Sequence, residues 1–388
     1  MQKLARVSTL GTSYDAKAVT DMLLDQQGQE RWFFDQYDAT LKNKTDFSPY
    51  VDFENTSPRI THDSTSAIQR SLTMTLRGDA PLKEINFLSD IIGVRYQLRS
   101  PDGGWVEWQL GRFTLTPFDQ DIYPGYTWNM LTTPDFGQLL TDATFISSYT
   151  VRKNVNYVGA VKAIAQGYGG RTPIFTNIQP SDAILPASRS FDAGETRLSA
   201  INKLLASISY FPAWFDEVGV MHSSKIPDYT KVKETFLFDT TSGSSITMIP
   251  IQERPDISKV YNQVLVIVED ARKTNNIRMS YLWKNNNPKD PVSLKNWHPK
   301  TLTIRTSSIP DKKHMIARAV SEGQAASRVF GKLTAGTFPW PISQNRDVYR
   351  WIYSTPDEGF NNFLYVEMKW DMICKTGQMS SHSIERIR

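Results

Sequence analysis

From about residue 31 to residue 142, apolar and polar positions alternate. Leu72, Met74 and Leu76 are interleaved with Thr73, Thr75 and Arg77. Val94, Tyr96 and Leu98 are interleaved with Arg95, Gln97 and Arg99. A period of two is that of a strand with one buried face. Pro101-Asp102-Gly103-Gly104 supplies the backbone freedom of a hairpin turn. Val106, Trp108 and Leu110 resume the alternation, followed by Phe113 and Leu115. Pro124-Gly125 marks a further turn before Tyr126, Trp128 and Met130. Strands of this length separated by turns predict an antiparallel sandwich or barrel. Ahead of them, Asp15 to Gln26 has Ala18, Val19, Met22 and Leu23 on one helical face, with Gly28 as a stop.

Near residue 155 the period becomes helical. Val158, Val161, Ile164 and Ala165 fit one helix face closed by Gly167. Leu198, Ile201, Leu204, Leu205 and Ile208 form a second stripe, with Glu195 expected in its first turn. Tyr210 to Met221 reads as a strand pair around Asp216-Glu217-Val218-Gly219. Strands return at Tyr261 to Val268. Ser308-Ile309-Pro310-Asp311 has capping-box spacing with Pro in the first turn. The helix it predicts carries Ile316, Ala319, Val320, Gly323, Ala326, Val329 and Phe330 on one face. Small residues Ala319, Gly323 and Ala326 would let it lie close against a sheet. Val348–Tyr353, Phe363–Met372 and Ser383–Ile387 read as closing strands. No internal repeat is visible.

Composition sharpens this only a little. At 388 residues the chain calls for two or three domains, since a single core stops growing at roughly 250–300 residues. Hydrophobic residues at 40% suit a folded protein, and aromatics at 12% favour strands and interfaces. Lys+Arg 44 against Asp+Glu 40 gives +4, with both signs interspersed. An electrostatic nucleic-acid binder would be more lopsided. Lys42, Lys44 and the pair Arg152 and Lys153 are too short as clusters and read as solvated surface. Nothing resembles a signal peptide or reaches the roughly 18 apolar residues of a membrane span. Asn43-Lys44-Thr45 and Asn55-Thr56-Ser57 match a glycosylation pattern that has no use without export.

Candidate chemistry is sparse. His62, His222, His298, His314 and His382 show no metal-ligand spacing and read as surface or interface histidines. The single cysteine, Cys374, near the end of a strand, reads as a small packed residue. No Ser lies in G-x-S-x-G. Gly167-Tyr168-Gly169-Gly170 follows a helix, whereas a phosphate loop must open one, so it reads as a helix stop. Asp216 and Glu217 would face water in a turn rather than form an acid–base pair. Trp297 and Trp340, in Pro-rich or polar stretches, could stack on sugar rings or anchor a protein contact. No catalytic, cofactor-binding or metal residue is assigned, and no interface residue.

The order of segments resembles the hub proteins at the tail tip of long-tailed bacteriophages, with minor tail proteins of actinobacterial phages among them. Trp108-Gln109-Leu110-Gly111-Arg112-Phe113 resembles the W-x-L-G-x-F strand of their first β-barrel. Val158 to Gly167 resembles the helix that follows it. Ser181 to Pro186, Phe191 to Thr196, Ile201-Asn202-Lys203-Leu204-Leu205 and Trp214 to Gly219 follow the family layout. Val260-Tyr261-Asn262-Gln263-Val264-Leu265-Val266 is similar to the opening of the second barrel. The helix from His314 to Lys332 matches in position. Tyr365 to Trp370, Thr376 to Met379, His382 and Arg386 resemble the closing strands. Residues 1–30 have no counterpart.

The resemblance implies an α+β, mainly β chain with two tube-like β-barrel or sandwich domains flanking a small α+β region. Its expected divisions are 1–30, an N-terminal segment; 31–150, the first barrel; 151–250, the middle domain; and 251–388, the second barrel with one long helix. It implies a non-enzymatic homotrimer without cofactors at the distal tail tip of the virion. Three chains would present six barrels to a hexameric tail tube and three-fold symmetry to the tip proteins below. The tape measure protein and phage DNA could occupy the lumen. The chain is expected to lack an appended lytic or fibre domain. The alternatives are a receptor- or carbohydrate-binding tail protein and a cell-wall hydrolase of the tail tip.

Overall fold

The computed structural model describes residues 2–387 except 25–28, 81, 117–118, 124–125, 230, 242–245, 257–259, 270–276, 307–308, 328–329 and 356–358. The expected stops and turns at Gly28, Pro124-Gly125 and Ser308, and Val329, lie outside the described residues. A short hairpin, β1 (Arg6–Val7) and β2 (Ser13–Tyr14), leads into α1 (Ala16–Leu24), which buries Val19, Met22 and Leu23 as its periodicity predicts. Next come β3 (Glu30–Tyr37), β4 (Lys44–Asp46), β5 (Arg59–Asp63), β6 (Arg70–Leu76), β7 (Ile91–Arg99), β8 (Trp105–Thr114), β9 (Asp119–Tyr123) and β10 (Tyr126–Pro134).

Four of these form an antiparallel sheet in the order β4-β3-β7-β8. Gly103 at φ +84° allows the tight β7–β8 turn. Trp32, Phe34, Val94, Tyr96, Leu98, Val106 and Trp108 face the core. Strict alternation from Leu110 would turn Phe113 outward. The ladder instead shifts register between Val94 and Arg95, opposite Gly111 and Gln109, leaving Leu110 as the extra residue. The shift brings Trp108, Leu110 and Phe113 all inward. A Cβ on Gly111 would stand 2.5 Å from the Phe113 ring, so glycine lets that ring lie over the strand.

In β10 the buried positions are Asn129, Leu131 and Thr133, while Met130 is exposed. Of the alternating apolar residues Tyr126, Trp128 and Met130, the last therefore points away from the core. Strand periodicity gives the alternation but not which phase meets the core.

The middle of the chain contains α2 (Gly137–Asp142), β11 (Tyr149–Val151), α3 (Tyr157–Gln166), β12 (Phe175–Ile178), β13 (Arg189–Phe191), α4 (Arg197–Ser207), β14 (Trp214–Phe215) and β15 (Val220–Ser223). It has its own apolar core. Here the structure shows a repeat that the sequence hides. β11 with α3, and β13 with α4, are the same strand–turn–helix unit. Asn154 and Gly194 both adopt positive φ. Two residues later Asn156 and Thr196 cap the helices through the amides of Gly159 and Ser199. The helices pack together and β11 pairs with β13. Glu195 lies just ahead of the cap rather than in the first turn. It accepts hydrogen bonds from Ser199 and Lys203.

The remaining elements are β16 (Phe236–Asp239), β17 (Thr247–Asp256), β18 (Gln263–Glu269), β19 (Ile277–Lys284), β20 (Thr301–Thr306), α5 (Lys312–Ala326), β21 (Phe330–Thr337), β22 (Val348–Thr355), β23 (Gly359–Ile373) and β24 (Ser380–Arg386). The three-stranded sheet β19-β18-β20 lies under α5. The helix starts at the end of the expected 308–311 segment and is capped by Asp311. Its buried stripe is Met315, Ala319 and Gly323, and Phe330 belongs to the next strand. Gly323 abuts the Trp283 indole, where a Cβ would overlap it at 2.2 Å, as close helix–sheet packing requires.

The largest sheet runs β17-β21-β24-β23-β5-β6-β10-β9, with β22 and β16 branching from β23. β22 and then β5 line one edge of β23, and β24 takes the other. The two β-rich regions, expected as separate barrels, thus share a ladder. They also share a core, from Leu4 to Ile384. The reason is physical: β5 and β23 each leave an edge unpaired within their own region, and pairing them satisfies both rows of amides. β16, placed by sequence in the middle region, and β17, which straddles the expected boundary at 250, join this sheet too. Among the described residues no barrel closes. The chain is mainly β, 41% strand and 16% helix.

Candidate functional site

Where β5, β23 and the middle unit meet, polar side chains form a connected interior path. Arg70, on β6, is 2% exposed. Its guanidinium donates to the Leu110 carbonyl at 2.9 Å and to Gln344 Oε1 at 3.1 Å, and its amide donates to Asp135 at 3.0 Å. Gln344 donates through Nε2 to Glu217 at 2.5 Å and through its amide to Asp347 at 3.0 Å. Tyr349 donates to Asp347 at 3.3 Å and to Glu367 at 3.1 Å. Glu367 also pairs with His382 Nδ1, and His382 Nε2 meets Thr337 Oγ1 at 2.9 Å. The path therefore links β21 to the 216–219 turn of the middle unit through residues of three chain segments.

Burial sets the protonation of this path. Loss of water raises the Asp135 pKa to about 6, against the pull of the Gly137 amide and of Arg70. Burial, then the Glu367 charge, raises Asp347 to about 7. Tyr349 is pushed well up by the same two causes. His62 is buried and stacks on Trp370. Neither of its ring nitrogens has a partner among the described residues, and burial with the Arg70 and Arg346 charges drives its pKa well down. It is therefore a neutral ring, buried beside two cations.

The histidines expected at the surface divide in two. His62 and His382 are core residues, each 1% exposed. His222 bonds Asp216 at 2.7 Å and stacks on Trp214; His314 bonds its own helix cap, Asp311; His298 lies beside Trp297. Metal-ligand spacing did not signal these carboxylate pairs, because one is made by the β14–β15 hairpin and the other by a helix cap. The 216–217 turn does not simply face water. Burial opposes the charge of Asp216, but His222 and the amides of Val220 and Val218 outweigh it and hold its pKa below the ordinary value. Glu217 is tied to Gln344.

Thr337, His382 and Glu367 have the connectivity of a hydroxyl–imidazole–carboxylate triad. Each is at most 1% exposed, and Thr337 already donates to the Phe338 carbonyl at 2.7 Å. No substrate can reach that hydroxyl, so the arrangement holds strands together. Cys374 is fully buried, and burial pushes its thiol pKa up. Gly167 ends α3 as expected. Trp340 is fully buried against Phe236 and Phe238, and Trp297 is half-buried under Lys300. The two indoles do not make a sugar-binding pair. Among the described residues no cluster of three or more His, Cys, Asp or Glu could hold a metal, and no helix is long and apolar enough to cross a membrane.

The backbone arrangement is that of solved structures. The chain superposes over 92% of its length on 96% of a tail protein from Neisseria meningitidis, with TM-score 0.61 and 11% identity. It covers 98% of the 43 kDa tail protein of prophage MuSo2 from Shewanella oneidensis over 91% of its own length, with TM-score 0.59 and 9% identity. The prophage tail protein gp18 from Listeria monocytogenes matches at 0.58 and 9% identity, over 91% and 94% of the two chains. No family profile and no curated protein matches the sequence. The fold is that of phage tail proteins.

Proposed function

We propose that the chain is a structural hub at the distal end of a phage tail. It acts as a homotrimer that joins the hexameric tail tube to three-fold tip components and borders the DNA conduit. It works by holding geometry rather than by catalysis. The observation that carries this reading is the end-to-end superposition on tail proteins, over nine-tenths of both chains. The shared sheet supports it. Because β5 pairs with β23, the two β-rich regions are fastened by backbone hydrogen bonds and can transmit load between neighbouring rings. A tail-tube or distal tail protein above and tip proteins below are the partners this role requires, with the tape measure protein in the lumen. The burial of Trp340 leaves only Trp297 of the two indoles that favoured a carbohydrate-binding reading.

Antibody labelling of assembled tails in negative stain tests the proposal. Label confined to a three-fold ring at the tip is expected. Label along the whole tube, or on side fibres alone, would overturn it.

A further inference from the structure

The outer face of the β4-β3-β7-β8 sheet carries an ordered charge lattice. Arg95 binds Asp35 through two nitrogens, at 2.5 and 2.9 Å, and Glu107 at 2.7 Å. Lys44 adds a 2.9 Å contact to Asp35, and Gln97 donates to Glu107 at 2.7 Å. Asp35 and Glu107 are thereby engaged, and Asp46, opposite Asp35, accepts from the Ser48 amide at 3.0 Å. At the strand ends two further cations have no such partner. The guanidiniums of Arg31 and Arg99 lie over one indole, that of Trp105, at 4.0 and 5.2 Å. Neither side chain has a hydrogen bond or ion pair among the described residues. The stacking fixes them in place and leaves their N–H edges free for an anion.

An apolar rim adjoins this pair. The N-terminal hairpin tip clasps the β7–β8 turn. Thr9 donates its amide to the Trp105 carbonyl at 2.9 Å and accepts from the Trp105 amide at 3.1 Å, and Ser8 donates to Asp102 at 2.6 Å. The clasp leaves Val7 and Leu10 59% and 67% exposed. Trp and Arg flanked by bare aliphatics is the composition of a protein–protein contact. A phosphate polymer would have no use for the aliphatics.

The same chain holds a surface of opposite character. Residues 51–55 and 75–79 line a cleft of about 670 Å³. Its rim has Asp52, Glu54 and Asp79 against one cation, Arg77, which is held by Asp79 at 3.2 Å. Glu54 is exposed, and its carboxylate has no partner among the described residues. Phe53, in the cleft wall, packs edge-on against Phe34 at 5.6 Å. Phe34 belongs to the inner face of β3 and Arg31 to the outer. The cleft and the cation pair therefore lie on opposite sides of one sheet. Two complementary surfaces so placed cannot meet within a chain, and a two-fold contact, in which each surface meets the other reciprocally, would need both in one interface, which opposite sides of a sheet do not allow. They match head to tail, the arrangement that closes rings.

We propose that Arg31, Arg99 and Trp105, rimmed by Val7 and Leu10, dock against the acidic 51–79 cleft of a second copy of this chain. The contact rests on the ring assembly proposed above and supplies its residues. Sedimentation velocity on the purified full chain tests it, with circular dichroism to confirm that each variant folds. The wild-type chain is expected to sediment as a trimer. Arg31→Glu with Arg99→Glu, and separately Glu54→Arg with Asp79→Arg, each shift it to monomer, and all four substitutions together restore the trimer. A trimer indifferent to either pair, a folded quadruple variant that stays monomeric, or a wild-type chain monomeric at every concentration overturns the contact. Tip labelling of whole tails reads the hub role independently, so the two can fail separately.

Discussion

His62 and Trp370 stand opposite one another across the β5–β23 seam, their rings 5.6 Å apart and 8° from parallel. The stack joins two segments that could otherwise have closed separate sheets. Trp370→Ala should cost about 3–5 kcal/mol, the range for emptying a buried aromatic site. His62→Phe should do the opposite. It keeps the stack and removes two buried nitrogens without partners, a gain of about 1 kcal/mol or more. Urea midpoints of the two variants check this. A His62→Phe protein less stable than wild type would show that the nitrogens are satisfied.

Asp347 should make the protein less stable as pH rises. Its folded pKa of about 7 lies above the unfolded value of about 3.9. Between these values the native state holds a proton that the unfolded state has released, so the contribution is fully favourable below about pH 4 and is lost by about pH 7. Asp347→Asn should flatten this part of the profile and gain most over wild type at pH 8. Chemical denaturation at pH 4.5, 6 and 8 measures the difference. A constant offset between variant and wild type across that range would sink the assignment.

Gly323→Ala sets two effects against each other. In an exposed helix the change stabilises by roughly 0.5–1 kcal/mol. Here the new methyl would overlap Trp283, so α5 must lift or the indole must turn. Net destabilisation of about 1–3 kcal/mol is expected from overpacking. Trp fluorescence and thermal melts report it, and a stabilised variant would mean that the helix is not seated on the indole.

The two strand–turn–helix units predict unequal responses at equivalent positions. Gly194→Ala places a Cβ at φ +85° and should cost about 1 kcal/mol. Asn154→Gly relieves a residue already at φ 67° and should be close to neutral or mildly stabilising. If thermal midpoints move equally in the two variants, the turns are not equivalent.

Cys374 should resist alkylation in the native protein, because burial both hides the thiol and raises its pKa. Iodoacetamide labelling followed by mass spectrometry should show modification only in denaturant. Rapid labelling at neutral pH would contradict the packed position.

The strands at 70–76, 91–99 and 105–114 were legible because one face of each is buried and alternation survives. The inward turn of Phe113 was not, since one extra residue in β8 changes parity without altering composition. The repeat of α3 and α4 was hidden for a related reason. Packing demands only that Val158 and Leu198, Val161 and Ile201, and Ile164 and Leu204 be apolar, and capping accepts Asn156 or Thr196 alike. The polar junction was invisible because its members, from Arg70 to His382, are collected by pairing between remote strands. A strand's own pattern says which face is buried, not which strand lies beside it.

That pairing has a consequence for synthesis. Thr61 meets Asp371 across 310 residues of chain. While the ribosome is still making the intervening part, the β5 edge has emerged and its partner has not. Loop closure over such a distance costs entropy before any contact repays it, so the seam forms late and slowly. Until then the nascent chain carries an open strand edge, a site for mispairing with other copies. The final strands therefore act as a checkpoint: a chain truncated before β23 keeps its sheet edge open and has no route to the native assembly.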